Sequence, residues 1–124
     1  MKSPGHEKWP DHEVREEPLN KDVRVEARGE VIADSRDVIR VDEDEHPPRF
    51  YVSRSDVDMN KLEPTDRTTE CPFKGKGRYF NVRVDGETIE NAAWTYEDTY
   101  DEHRALQNRI AFHDREMEAI TVSA

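Results

Sequence analysis

The chain is poor in cysteine, since Cys71 is the only one among its 124 residues. An internal disulfide is therefore excluded, which favours a reducing, cytoplasmic setting. A zinc site built from pairs of thiolates is excluded as well, because it needs closely spaced cysteines. The five histidines (His6, His12, His46, His103 and His113) show no His-x-x-x-His or Glu-x-x-His pairing on a predicted helix. The sequence therefore predicts neither a metal site nor a cofactor.

Long apolar stretches are also missing. No run approaches the roughly 18 residues that a membrane-spanning helix requires. The first ten residues have no apolar segment of the kind found in signal peptides. Hydrophobic residues make up 33% of the chain and charged residues 39%, which indicates a small core beneath a heavily charged surface. The length fits one domain, and we expect a monomer.

Positive charge is scarce relative to negative charge. Lys and Arg number 19 against 29 Asp and Glu, which gives a formal net charge of −10. Such a surface repels phosphate backbones and anionic lipid headgroups, so neither nucleic acid nor a membrane is an expected partner. A small molecule is the partner that we expect.

Short segments of alternating polarity are what the sequence does contain. Val23, Val25 and Ala27 alternate with charged residues, as expected for a strand with one buried face. Further short apolar segments lie between turn residues, at positions 31–33, 38–41, 49–52, 79–84, 88–96, 110–113 and 119–122. The spacing leaves no room for βαβ units. The pattern predicts a mainly β fold: a single antiparallel sheet or barrel-like domain over residues 21–124, with one or two short helices.

The first twenty residues differ from the rest. They hold Pro4, Pro10 and Pro18 together with many charges, which interrupt regular structure. We therefore predict an extended N-terminal arm over residues 1–20, ordered only where it packs. Trp9 is its one large apolar residue and is expected to be buried as the anchor of the arm.

The strongest turn signal is the Asp-Gly pair at residues 85–86, because glycine tolerates the positive φ that tight hairpins need. Pairing about this turn is expected to set residues such as Phe80 and Glu90 across from one another. Residues 62–69 (LEPTDRTT) are predicted to form a polar loop, and residues 74–77 (KGKG) a flexible glycine turn.

Cys71 is the candidate for a catalytic nucleophile or redox centre. Lys74 and Lys76 follow it closely, and nearby cations raise the reactivity of a thiol. The alternative is a small buried apolar side chain, which free cysteine often is. Lys74 and the glycines beside it are also candidates for cradling an anion. The alternative there is a plain turn with solvated lysines.

Three large rings with polar edges belong to Tyr79, Trp94 and Tyr96. They are candidates for the wall of a ligand pocket. The alternative is packing in the core or on a sheet face, where most aromatic residues lie.

Five motifs, in their order along the chain, carry a family resemblance. They are residues 29–35 (GEVIADS), 47–51 (PPRFY), 68–75 (TTECPFKG), 91–96 (NAAWTY) and 110–112 (IAF). Together they resemble a prokaryotic family of domains of unknown function (family four-two-seven), which is sometimes labelled nucleotidyltransferase-like. The resemblance implies a small β-tent-like fold, similar to methionine sulfoxide reductase B and related zinc-bearing domains, whose cysteine pairs this chain lacks. It also implies a tyrosine after Ile-Ala-Phe, where this chain has His113.

These observations predict a binding module with a pocket on one sheet face. The expected lining residues are Arg49, Tyr51, Cys71, Lys74, Tyr79, Trp94 and Tyr96. The expected ligand is a small molecule, with an anion as one candidate. Two alternatives stay open. One is an enzyme, with Cys71 as its nucleophile or redox centre or with a nucleotidyltransferase-like activity. The other is a protein-interaction module without catalysis.

Overall fold

The structure is a computed structural model that describes residues 1–114 and 119–123. It opens with a helix, α1 (Pro4–Lys8). Ten strands follow: β1 (Val14–Leu19), β2 (Val23–Ala27), β3 (Glu30–Ser35), β4 (Val38–Glu43), β5 (Arg49–Val52), β6 (Leu62–Cys71), β7 (Gly75–Val84), β8 (Glu87–Thr99), β9 (Ile110–Phe112) and β10 (Ile120–Ser123). Short 3₁₀ segments span Arg54–Asp56, Met59–Lys61 and Asp101–Leu106.

The strands form two antiparallel sheets. The larger sheet has the order β1-β4-β5-β9-β8-β7-β6, and the smaller has the order β10-β2-β3. The expected mainly β, antiparallel fold is confirmed. Within the described residues neither sheet closes into a barrel, so β1 and β6 are the edges of the larger sheet. None of the helices described there is long and apolar enough to cross a membrane.

Two layers of buried side chains lie on opposite faces of the larger sheet. The inner core, between the two sheets, includes Val25, Val52, Phe80, Val82 and Ile110. The aromatic layer, on the other face, consists of Ile39, Val41, Tyr51, Trp94, Tyr96, Leu106 and Ala111. Neighbouring residues of one strand enter different layers, because successive side chains point to opposite faces of a sheet. The central strands of this sheet are therefore covered on both sides.

The N-terminal twenty residues correct the prediction of a simple extended arm. Strand β1 pairs with β4 along its full length, from Val14 opposite Glu43 to Leu19 opposite Val38. Val14 packs against the aromatic layer and Leu19 against the inner core. Proline within the strand is tolerated because β1 is an edge. The expected anchor, Trp9, is 48% exposed, so strand pairing rather than the indole fixes this segment.

Strand β6 corrects the prediction of a polar loop over residues 62–69. It is an edge strand whose side chains are mostly exposed. An edge strand of this kind carries no alternating apolar pattern, since most of its side chains face water. The glycine turn at residues 74–77 is also wrong, because Gly75 and Gly77 belong to β7 and the turn comprises residues 72–74.

The hairpin at Asp85 and Gly86 is confirmed, with φ angles of 51° and 77°. The register beyond it differs from the prediction, since Phe80 lies opposite Ala93 rather than Glu90. Regular continuation of the Val84–Glu87 pair would have placed Asn91 there. A bulge near Asn91, whose φ is also positive at 51°, shifts the pairing.

Two hydrogen bonds hold this bulge. The Asn91 backbone N–H donates to Asn81 Oδ1 at 2.9 Å, and the Thr65 hydroxyl donates to Asn91 Oδ1 at 3.0 Å. The shifted register places Trp94 opposite Tyr79 on the neighbouring strand. On its other side β8 pairs with β9, where Trp94 of the 91–96 motif lies opposite Ala111 of the 110–112 motif.

Candidate functional site

A cleft of about 520 Å³, called here the inner cleft, opens beside the aromatic layer. All seven residues that the sequence suggests as a pocket lining border it: Arg49, Tyr51, Cys71, Lys74, Tyr79, Trp94 and Tyr96. The rest of its lining comprises His12, Val41, Glu43, His46, Pro47, Glu70, Pro72, Phe73 and His113. Residues of the TTECPFKG motif and of the NAAWTY motif therefore line the same concave surface.

Stacked rings form one wall of the inner cleft. The His113 ring lies 4.4 Å from Trp94 and runs nearly parallel to Tyr79, at 6.2 Å and 12°. The Trp94 indole N–H donates to the Tyr51 hydroxyl at 3.1 Å, which fixes the indole in place. Burial raises the pKa of Tyr51 and of Tyr96, so both phenols stay protonated at neutral pH.

Lys74 reaches into the cleft from the turn that precedes β7. Its side chain is 7% exposed and its ammonium forms an ion pair with Glu43, at the end of β4. Burial lowers the pKa of Lys74, but Tyr51, Cys71 and Glu43 outweigh it and the pKa is raised. The expectation of a solvated turn lysine is therefore wrong. A lysine is rarely buried this deeply unless it is paired.

Glu43 is the carboxylate on which this charged cluster converges. Its Oε2 is 3.0 Å from His12 Nε2 and 3.7 Å from His46 Nε2, while Lys74 binds Oε1. Burial raises the pKa of Glu43, but Lys74 and His12 outweigh it and the pKa is lowered. Among residues 1–114 and 119–123 no group of three or more His, Cys, Asp and Glu side chains is arranged to hold a metal ion.

Cys71, the last residue of β6, faces the cleft and is partly exposed. Its Sγ lies 4.0 Å from Lys74 Nζ. The thiol also packs at the edge of the aromatic layer. The structure thus combines both readings of this cysteine, since the side chain is half covered and still borders the cavity beside a cation.

Arg49, the first residue of β5, lies across the Trp94 ring with its guanidinium carbon 5.4 Å from the ring centre. It also forms an ion pair with Asp114 at 3.7 Å. The aromatic wall is therefore bordered by a cation that is itself held in place.

The segment that contains α1 supports the cleft from outside. The Ser3 hydroxyl and the Gly5 backbone N–H both donate to the Pro72 carbonyl, at 2.6 and 2.8 Å. Farther along, the His12 ring stacks on Phe73 at 4.4 Å and 18°. These contacts hold the turn that presents Cys71 and Lys74.

The sequence left several cleft residues unassigned. Glu43 and His46 belong to a charged segment, residues 42–48 (DEDEHPP), that reads as a surface loop. His12 lies in the segment predicted to be an arm. No local sequence pattern marks these residues as neighbours, because His12 approaches Glu43 only through the pairing of β1 with β4. His113, which stands where the family resemblance implies a tyrosine, lines the cleft as part of the aromatic wall.

The model of a family described as a domain of unknown function (DUF427) matches residues 15–123. No curated protein matches the chain. The matched residues include the whole aromatic layer and most of the inner-cleft lining, but not His12.

Proposed function

The chain belongs to the DUF427 family, and from the inner cleft we propose that it binds a small planar molecule carrying one anionic group. The rings of Trp94, Tyr79 and His113 hold the flat part of the ligand. The Lys74 ammonium meets the anionic group.

The size and lining of the cleft support a small-molecule ligand. A volume of about 520 Å³ falls within the ordinary range for such sites. The wall consists mainly of aromatic rings whose orientation is fixed by contacts within the protein, including the bond from Trp94 to Tyr51. A preformed aromatic wall favours a planar ligand, because stacking on a ring gains contact area and the protein loses no conformational entropy on binding.

The buried ammonium of Lys74 is the observation that carries the proposal. An ammonium has three N–H donors. Its described contacts are a strong one to Glu43 and a weak one to Cys71 Sγ, so one donor remains for a ligand. A single charge-assisted hydrogen bond in a half-closed cavity gives both orientation and affinity.

The charges in the cleft limit the ligand to a low negative charge. Glu43 and Glu70 line the same cavity as Lys74 and Arg49, so the two carboxylates offset the two permanent cations. A ligand with several negative charges would be repelled by the carboxylates. A monoanion, such as an aromatic carboxylate, fits this balance.

A thermal-shift and calorimetric panel tests the proposal. It contains benzoate and indole-3-carboxylate as flat monoanions, the matching amides as neutral isosteres, and cyclohexanecarboxylate as a non-planar monoanion. We expect the flat monoanions to stabilise the protein most, because bound ligand raises stability in proportion to saturation. Equal responses to the acid and its amide would contradict the role of Lys74.

Variants of the lining residues test whether the ligand binds in the inner cleft. Lys74→Gln combined with Glu43→Gln removes both charges without leaving either one buried alone, and we expect it to abolish the preference for the acid. Lys76→Gln is the matched control, because Lys76 is an exposed lysine two residues away. A double variant that keeps the preference for acid over amide would overturn the proposal.

A second candidate function is covalent chemistry at Cys71. The observation that favours it is the 4.0 Å separation between Sγ and the Lys74 ammonium inside a cavity. A nearby cation favours nucleophilic attack by sulfur, because the thiolate is the reactive form. In such a step the thiolate would displace a leaving group from an electrophilic ligand carbon and form a carbon–sulfur bond.

Alkylation by iodoacetamide, in which sulfur displaces iodide, measures this reactivity. We expect the folded protein to react faster than the urea-unfolded chain at the same pH if Cys71 is a nucleophile. A rate that rises only on unfolding would leave Cys71 as a packing residue. Lys74→Gln with Glu43→Gln should lower the folded-state rate if the ammonium assists.

A further inference from the structure

A second depression, called here the outer groove, lies next to the inner cleft and has a volume of about 950 Å³. Its lining comprises Lys8, Trp9, Pro10, Asp11, His12, Asp44, Glu45, Pro72 and Phe73. It shares His12, Pro72 and Phe73 with the inner cleft but contains neither Lys74 nor the stacked aromatic wall. The outer groove therefore offers a ligand different charged and aromatic groups from those of the inner cleft.

Two aromatic rings form a corner in the outer groove. Trp9 and Phe73 lie 6.2 Å apart at an angle of 49°. Phe73 is buried, whereas Trp9 is 48% exposed and presents its ring to the groove. Tryptophan is usually more buried than this, so a ligand that covers the exposed face of the Trp9 indole would gain apolar contact.

The Trp9 ring already carries a cation. The Lys8 ammonium lies 4.9 Å from the centre of the ring. An ammonium over an aromatic face is attracted by the negative charge density of the ring, and tryptophan is the strongest such partner. Lys8 thus shows which kind of group this ring attracts.

Carboxylates around the corner supply the complementary charge. Asp11 and Glu45 line the outer groove and form no ion pair with any described residue. Asp44 is engaged by Arg15 at 3.5 Å and by the Glu13 backbone N–H at 2.9 Å. Lys8 is the one lysine or arginine in the lining, so an anion is disfavoured here and a cation is favoured.

We propose that the outer groove is a binding site for a small organic ammonium ion, whose methyl or methylene groups pack on Trp9 and Phe73. The ligand takes the place of the Lys8 ammonium on the indole, and Asp11 and Glu45 balance its charge. This site goes beyond the planar anion proposed for the inner cleft and does not depend on it. Bulky methylated ammonium ions suit it best, because they lose less hydration on entering than a primary amine does.

The test compares choline with its neutral isostere, 3,3-dimethylbutan-1-ol, by NMR titration of the unmodified protein. We expect choline to shift the Trp9 indole signal and the isostere to bind at least several-fold more weakly. Equal binding of the two would overturn the proposal, because it would leave only apolar contact. No shift with either compound would overturn it as well.

Variants separate the ammonium site from general surface binding. Trp9→Leu should weaken choline binding about tenfold, in line with the strength of a partly desolvated cation–π contact. Lys8→Ala should strengthen it, because the internal competitor is gone. Lys2→Ala, which removes an exposed lysine outside the groove, is the matched control and should change nothing. Unchanged binding in Trp9→Leu, or weaker binding in Lys8→Ala, would contradict the assignment.

The two proposals fail independently of each other. Benzoate and indole-3-carboxylate probe the inner cleft, and choline probes the outer groove. Loss of the response to one probe leaves the other readout intact.

Discussion

At the scale of single residues, the buried pair of Lys74 and Glu43 makes the clearest demand on stability. Both side chains lie below 15% exposure, at 7% and 14%. Removing one partner strands the other charge in a poorly solvated site, which costs more than the pair itself contributes.

The first prediction concerns this pair. Lys74→Met should lower the free energy of unfolding by about 3 kcal/mol, because Glu43 stays behind with only its histidine neighbours. Adding Glu43→Gln should recover part of the loss. Lys76→Met should stay within about 0.5 kcal/mol of the parent, since that side chain is exposed. Urea denaturation measures all three, and equal effects at positions 74 and 76 would show that Lys74 is not buried in solution.

At the scale of elements, the start of β7 is fixed by Gly75. Its φ is +129°, and a Cβ added there would lie 2.8 Å from the Asp98 backbone carbonyl oxygen. Gly86 in the hairpin turn has a φ of +77° with nothing within 4 Å of an added Cβ. The two positions therefore share a left-handed backbone and differ in the space around it.

The second prediction uses this contrast. Gly86→Ala should lower the free energy of unfolding by about 1 kcal/mol, from backbone strain alone. Gly75→Ala should cost about 3 kcal/mol or more, because strain and a clash with backbone add together. Thermal and urea unfolding of both variants provide the comparison. A smaller cost at Gly75 than at Gly86 would contradict the tight pairing of β7 with the end of β8.

Helix α1 is attached through a pair of histidines. His6 Nε2 and His103 Nε2 lie 2.9 Å apart, and His103 Nδ1 bonds Glu16 of β1. Only one proton fits on the line between the two Nε2 atoms. Burial and the neighbouring His103 lower the pKa of His6, and they outweigh Glu102, which raises it. His12 also lowers this pKa, and Glu43 raises it.

The third prediction follows from the sign of this shift. The folded state binds a proton at His6 less readily than the unfolded chain does. The stabilisation that neutral His6 contributes is therefore fully present above the ordinary histidine pKa of 6.5. It is lost as the pH falls below that value. We expect protection of the α1 amides against hydrogen exchange to decrease between pH 7.5 and 5.5, after correction for the intrinsic exchange rate.

Substitution separates His6 from the other histidines. His6→Gln should flatten this pH dependence, while His46→Gln should not, since the His46 side chain is 61% exposed and its described ion pair is with Glu43. Protection that is independent of pH in the parent protein would contradict the attachment of α1 through the histidine pair.

At the scale of the whole molecule, the N-terminal segment is part of the fold and of the cleft. Strand β1 covers the β4 edge and contributes to both layers through Val14 and Leu19. Residues before it hold the Pro72 turn and supply His12. Removing this segment therefore removes more than a surface extension.

The fourth prediction compares two truncations. Deleting residues 1–12 should leave a folded protein with an open cleft and lower stability, because β1 remains. Deleting residues 1–20 should abolish cooperative unfolding, because β4 loses its partner and both layers lose side chains. Circular dichroism during thermal unfolding distinguishes the outcomes. A cooperative transition in the longer truncation, close to that of the full chain, would show that β1 is dispensable.

The fold was predictable from the sequence where hydrophobic burial leaves a periodic trace. The alternation at Val23–Ala27 marks a strand, and Asp85 and Gly86 mark the hairpin. Edge strands such as β6 and β1 leave no such trace, because no side chain of β1 and only one side chain of β6 is fully buried. A local pattern cannot show pairing between distant segments, so the arm and the loop were predicted wrongly.

The candidate site was predictable in part for a related reason. Ring-bearing and reactive residues such as Trp94 and Cys71 stand out by their chemistry, and they do line one cavity. Glu43 looks like any acidic residue of a charged segment, and its burial depends on a lysine 31 residues away. The bulge at Asn91 was equally hidden, since regular pairing from the turn is the default expectation.

The bulge, the paired termini of distant strands and the stacked wall together set the order in which the molecule can fold. The β7–β8 hairpin closes a short loop, so it can form early. The inner cleft needs His12 and His113, which are separated by about a hundred residues, and such contacts form slowly because a long loop must close first. We therefore expect a refolding chain to regain the far-ultraviolet circular-dichroism signal of its first strands before it regains ligand binding, with a measurable delay between the two.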